Sequence, residues 1–125
     1  MKTVSLGSAI LLGLFSLSAL AADPVVPVKK TNGMLVDSKG MTVYTFDKDT
    51  PNSGKSACTG TCAQNWPPVQ AGDVPLPAPY SFVTRDDGNR QLAYQGKPLY
   101  TFVKDKKPGD KTGDKAMNVW HVVTD

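Results

Sequence analysis

Residues 41–46 alternate in a strand period: Met41, Val43 and Thr45 point one way, and Thr42, Tyr44 and Phe46 the other. Both faces carry large groups, so this strand is expected to be covered on much of each face. Met34-Leu35-Val36 precedes it across Asp37-Ser38-Lys39-Gly40, which predicts a β-hairpin over 33–47. The pattern then breaks. Residues 47–65 are rich in Gly, Ser, Asn and Asp and read as a long polar loop, with a short helical turn at Cys62–Trp66 ended by Pro67 and Pro68. Pro75, Pro77 and Pro79 mark an extended connector, from about residue 70 to 79, draped over the surface. Alternation resumes with strands at 80–84 and 90–94, a Gln95-Gly96 turn, a strand over 97–103 and a closing strand from Met117 to Val123. The chain carries no stretch with the length and period of a long amphipathic helix. The pattern predicts a small all-β domain.

The pattern also repeats. Tyr44-Thr45-Phe46-Asp47-Lys48-Asp49 returns 56 positions later as Tyr100-Thr101-Phe102-Val103-Lys104-Asp105, with five of six residues the same. Gly40 and Gly96 each lie four residues before the tyrosine. Trp66 and Trp120 follow the tyrosines by 22 and 20 residues. Repeat 1 is read as about 33–69 and repeat 2 as about 80–123. Two related antiparallel units about a pseudo-two-fold axis, barrel- or sandwich-like, are expected, with Tyr44, Phe46, Trp66, Tyr100, Phe102 and Trp120 as their shared core. Met34, Met41 and Met117 are read as core fillers.

Length and charge narrow this picture. The chain has 125 residues, enough for one domain. Residues 1–21 read as a signal peptide: Lys2, an apolar run from Val4 to Leu17, and an Ala19-Leu20-Ala21 cleavage pattern. The mature chain is then expected to begin at Ala22, with no transmembrane segment, and to be periplasmic or secreted. Residues 22–30 read as a mobile arm, or as an edge strand limited by Pro24 and Pro27. Lysines and aspartates interleave instead of forming a basic stripe, which argues against a nucleic-acid partner.

Candidate chemistry is sparse. Asp49 and Asp105 close the two copies of the repeated element and are read as carboxylates that fix the exits of the following loops. Asp47 has no counterpart, because Val103 replaces it. Asp110 and Asp114 do not match the spacing of a calcium loop. Cys58 and Cys62 flank Gly60, which lets the chain fold back, so a structural disulfide across the long loop is expected in an oxidising compartment. His121 is the single histidine. It follows Trp120 in a strand and therefore faces the other way, toward the rim. No catalytic constellation is apparent, and a non-enzymatic role without a cofactor is expected.

The repeated Y-x-[FWY]-x-x-D element, the Cys58 to Pro68 run C-x-x-x-C-A-x-x-W-P-P and the closing Val119-Trp120-His121-Val122-Val123 resemble a family of small exported bacterial proteins and lipoproteins, known as secreted repeats of unknown function. The resemblance implies export and a two-repeat fold, and brings no activity. This chain lacks the lipid-bearing cysteine of many relatives. The first expectation is a non-catalytic binding or interaction module with an envelope partner. The alternative is a redox or copper-handling protein in which Cys58, Cys62 and His121 supply soft ligands. That set resembles the copper site of thioredoxin-fold copper chaperones, although the βαβ frame of that fold is missing here.

Overall fold

A computed structural model describes residues 26–73 and 75–124. The expected signal segment, its cleavage point and the first residues of the arm lie outside the described residues. The chain is all-β. Strand β1 (Val28–Thr31) pairs antiparallel with β2 (Met34–Asp37), and β3 (Tyr44–Phe46) pairs antiparallel with β7 (Trp120–Val122). Strands β4 (Tyr80–Thr84), β5 (Arg90–Tyr94) and β6 (Lys97–Pro98) form a three-stranded antiparallel sheet in that order. A five-residue helix, α1 (Thr61–Asn65), sits where the helical turn was expected. No helix among the described residues is long and apolar enough to cross a membrane.

Two-residue turns set the hairpins. Asn32 and Gly33 have φ 53° and 79°, and Gln95 and Gly96 have 52° and 80°, the doubly positive geometry that matches strand twist. The first of these turns makes β1 a strand. Val28 is buried and its segment is registered against β2, so a mobile arm over residues 28–30 is incorrect and the edge-strand reading holds there.

The two repeats are joined by matching trios of backbone hydrogen bonds. In one, Leu35 N–H donates to Val123 (2.9 Å), Val123 N–H to Val43 (3.2 Å) and Val43 N–H to Leu35 (3.0 Å). In the other, Leu92 N–H donates to Val69 (2.7 Å), Val69 N–H to Leu99 (3.0 Å) and Leu99 N–H to Leu92 (2.9 Å). The trios relate Leu35 to Leu92, Val43 to Leu99 and Val123 to Val69 as counterparts. Between them, Tyr44 and Tyr100 exchange both backbone bonds, at 2.7 and 3.0 Å. This reciprocal pair marks the pseudo-two-fold axis.

Alternation across that junction yields two cores. Val43 and Leu99 face an aliphatic cluster with Val28, Leu35, Val69, Ala71, Leu92 and Val123. Tyr44 and Tyr100 face an aromatic cluster with Cys58, Trp66 and Trp120. The connector differs from its expected surface course at the start: Ala71 is buried and its N–H bonds Arg90 O. The closing strand is also shorter than expected. Residues 116–118 form a tight 3-10 turn, with Met117 at φ 51° and 76% exposed, so Met117 is not a core filler. Met34 and Met41 are half-buried.

Candidate functional site: a buried aromatic centre and a polar recess at its rim

Strand pairing brings each tyrosine-bearing segment of one repeat beside the tryptophan-bearing segment of the other. Phe46 opposes Trp120 in the β3–β7 ladder. Tyr100 bridges Pro68, and Thr101 N–H bonds Pro67 O, which places Phe102 beside Trp66. The rings form a continuous stack. Phe46 lies on Trp120 (4.2 Å between centroids), Trp120 on Trp66 (3.8 Å, 3° between planes), and Trp66 on Phe102 (3.9 Å). Tyr44 meets Trp66 edge-on at 5.3 Å, and Tyr100 meets Trp120 edge-on at 5.1 Å. Each such pair adds about 0.5–1.5 kcal/mol beyond its buried area. The six aromatic residues read as the repeat core are therefore brought together in one cluster.

The carboxylates complete the centre by exchange between repeats. Tyr44 Oη donates to Asp105 Oδ2 and Tyr100 Oη to Asp49 Oδ2, both at 2.6 Å. The second oxygen of each aspartate holds the loop that follows. Asp49 Oδ1 accepts Ala57 N–H, and Asp105 Oδ1 accepts the N–H and hydroxyl of Thr112. The loop-fixing role read for Asp49 and Asp105 fits these bonds, with a tyrosine partner that the sequence did not announce. Burial, reinforced by the neighbouring carboxylate, pushes both tyrosine hydroxyls well above their ordinary 10.0. Burial also raises Asp49, against the opposing pull of Tyr100, Ala57 N–H and the Arg85 charge. Phenols held this way act as donors.

The loops differ around this shared frame. Because the Tyr100 proton goes to Asp49, Ser56 Oγ, 2.6 Å away, donates to the phenol oxygen. The matching position beside Tyr44 is filled by the backbone, with Gly113 N–H donating at 3.2 Å. A Cβ on Gly113 would lie 2.6 Å from Trp66 Cη2, so only glycine fits there without movement. Cys58 and Cys62 are joined in a disulfide, with Cys58 fully buried against the aromatic cluster. Arg85 spans the loop to the sheet, donating to Cys58 O and Gln91 Oε1 at 2.7 Å each, and buried Gln91 passes a bond to Leu99 O. Ser56, Arg85, Gln91 and Gly113 went unsingled in the sequence, and no spacing shared by the two loops points to them.

At the rim, Asp47 just after β3 and His121 in β7 form a further chemical difference between the repeats. His121 Nε2 lies 2.8 Å from Asp47 Oδ2, and both side chains are partly exposed. The corresponding partners in the other repeat are Pro67 and Val103. The pair opens on a polar recess of about 240 Å3 that also includes Thr45, Tyr94, Lys97 and Thr124. His121 thus faces the rim as expected and engages Asp47, and the structure does not gather it with Cys58 and Cys62. Among the described residues no group of three His, Cys, Asp or Glu is arranged to hold a metal ion. Asp110 and Asp114 each receive backbone N–H bonds, from Lys106 and Lys107 and from Val122. Those bonds hold the Asp110 carboxyl below the ordinary carboxylate value.

Fold and centre together define a two-repeat β domain whose halves interlock through aromatic rings and exchanged Tyr–Asp bonds. The chain belongs to the family of secreted repeats of unknown function, which matches it twice, over residues 26–70 and 81–124. The two matches straddle the two copies of the repeated element. No curated protein and no solved structure matches the chain. Family membership and the disulfide mark it as an exported protein.

Proposed function

We propose that this chain is a non-catalytic binding module of the bacterial envelope, resident in the periplasm or released from the cell, and working without a cofactor. The observation that carries the reading is the commitment of both inner Tyr–Asp pairs to structural hydrogen bonds. Both inner carboxylates are occupied by a tyrosine hydroxyl and by loop N–H groups, and both phenols are held as donors. Groups committed in this way lack the proton freedom that acid–base catalysis requires. What the protein offers outward is a rigid frame with shape and charge at its rim: the His121–Asp47 recess and a groove of about 280 Å3 bounded by Phe46, Cys62, Trp66, Met117, Val119 and Trp120.

Photo-crosslinking in living cells from residues introduced at Thr45, Lys97 and Met117 tests the reading. The expected result is a discrete adduct from one of these faces and none from Lys111, an exposed residue that lines neither of them. The copper alternative is tested on the same protein by titrating Cu(I) into the reduced form. Stoichiometric uptake that falls in His121→Ala and in Cys58→Ser with Cys62→Ser would replace the binding-module reading by a metal-handling one.

A further inference from the structure

The hairpins β1–β2 and β4–β5 are counterparts, because Leu35 and Leu92 hold equivalent places in the two backbone trios. Lys30 is registered against Leu35, and Phe82 against Leu92. Lys30 and Phe82 are therefore equivalent, as are Lys29 and Ser81. One edge carries two lysines, the usual protection of an exposed strand. The other, Tyr80-Ser81-Phe82-Val83-Thr84, carries no charge, and all but Ser81 are types that favour strands.

Register decides which backbone groups of β4 point outward. Arg85 N–H bonds Asn89 O and Gln95 N–H bonds Pro79 O, so 85–89 and 79–95 are hydrogen-bonded pairs. By alternation Ser81 and Val83 bond β5, while Tyr80, Phe82 and Thr84 turn their backbone groups away from it. Among the described residues no strand is registered on that side of β4. Phe82 is 43% exposed, with the Arg90 guanidinium 3.8 Å above its ring. A recess of about 310 Å3 lined by Pro75, Leu76, Tyr80, Ser81, Phe82 and Arg90 opens beside it.

We propose that β4 is a self-association edge, and that a second copy of this chain adds its own β4 antiparallel across a two-fold axis through Phe82. The outward groups match themselves in that register. Phe82 N–H of each copy donates to Phe82 O of the other, and Thr84 N–H of each donates to Tyr80 O of the other. Tyr80 N–H is already given to Pro77 O at 2.8 Å, which ends the ladder at that point. Four hydrogen bonds join the two three-stranded sheets into one of six strands, and the exposed Phe82 rings meet at its centre. Only an extended backbone fits this row of donors and acceptors, and the strand brings no charge to repel its own copy.

The test is sedimentation of the purified protein from about 1 μM to about 1 mM, a range that brackets weak association. Wild type should pass from monomer to dimer. Amide exchange at Phe82 and Thr84 should slow with concentration, while exchange at Ser81 and Val83 stays constant. Thr84→Pro deletes an outward N–H that the β4–β5 ladder does not use, and Phe82→Lys places like charges opposite one another; each should weaken the dimer at least about tenfold while leaving the melting curve cooperative. Met117→Lys, at another exposed apolar position, should leave it unchanged. A protein that stays monomeric throughout overturns the proposal. So does a dimer insensitive to Thr84→Pro, or one broken by Met117→Lys alone.

Discussion

Around Tyr44 stand Trp66, Phe102, Asp105 and Gly113; around Tyr100 stand Trp120, Phe46, Asp49 and Ser56. Ring for ring and carboxylate for carboxylate, the two environments correspond, and each tyrosine draws most of its neighbours from the opposite repeat. Farther out the correspondence stops. Asp47 and His121 face Val103 and Pro67 as counterparts, a disulfide-closed loop faces one built on glycine, and an uncharged edge strand faces one with two lysines. The two copies are alike where they hold each other and differ in their loops, at their edges and at the rim. The rim, where the copies differ, is where specific recognition is to be sought.

The largest effects should come from the stack, and they should be equal in the two halves. Trp66→Ala and Trp120→Ala each remove a ring sandwiched between two others, and each should destabilise by about 3–5 kcal/mol in denaturant titration. A half that tolerates its change would break the equivalence of the repeats.

Alkaline unfolding sharpens the same comparison. Tyr44 and Tyr100 have folded values above the ordinary 10.0 because burial disfavours the phenolate. The folded state then binds more protons than the unfolded state once pH exceeds 10, and stability falls as pH rises beyond that point. Absorbance of the ionised phenols should therefore show these two tyrosines titrating together with loss of near-ultraviolet dichroism. Two separated steps would mean that the two environments are not alike.

The loops should differ where the core does not. Cys58→Ser with Cys62→Ser should cost about 1–3 kcal/mol, because the disulfide closes only a short loop. Limited proteolysis should then cut within 47–65 and spare 104–116. Smallest of all, His121→Ala should change stability by no more than about 1 kcal/mol, as expected for a partly exposed pair. Its measurable consequence should be confined to binding at the recess.

Much of this frame was legible before the coordinates. The repeated six-residue element, the strand alternation and the two tryptophans specified an all-β pair of repeats and the six rings of its centre. The disulfide followed from spacing and compartment, and the rim position of His121 from its place after Trp120. The partners of Asp49 and Asp105 were not legible, because a carboxylate after a strand announces that it will bind something nearby and not that its other oxygen will reach the opposite repeat. Strand β1 had a local signal in Asn32-Gly33 that the prolines upstream obscured. Met117 looked like core because it is apolar and reads as the first residue of the closing strand. Its left-handed backbone, set by the tight turn at 116–118, sends it outward instead. Gln91 and Arg85 carry no pattern at all, since a buried polar link is specified only by the three-dimensional position of its acceptors.

The central claim is that the repeats hold each other by exchanged Tyr–Asp bonds, and double-mutant cycles measure this most directly. The cycles use phenylalanine for each tyrosine and asparagine for each aspartate, read out by equilibrium denaturation. The cross-repeat pairs Tyr44–Asp105 and Tyr100–Asp49 should show coupling of about 0.5–3 kcal/mol, similar in the two halves, while the within-repeat pairs Tyr44–Asp49 and Tyr100–Asp105 should couple markedly less. Coupling that is larger within each repeat than between them would contradict the account.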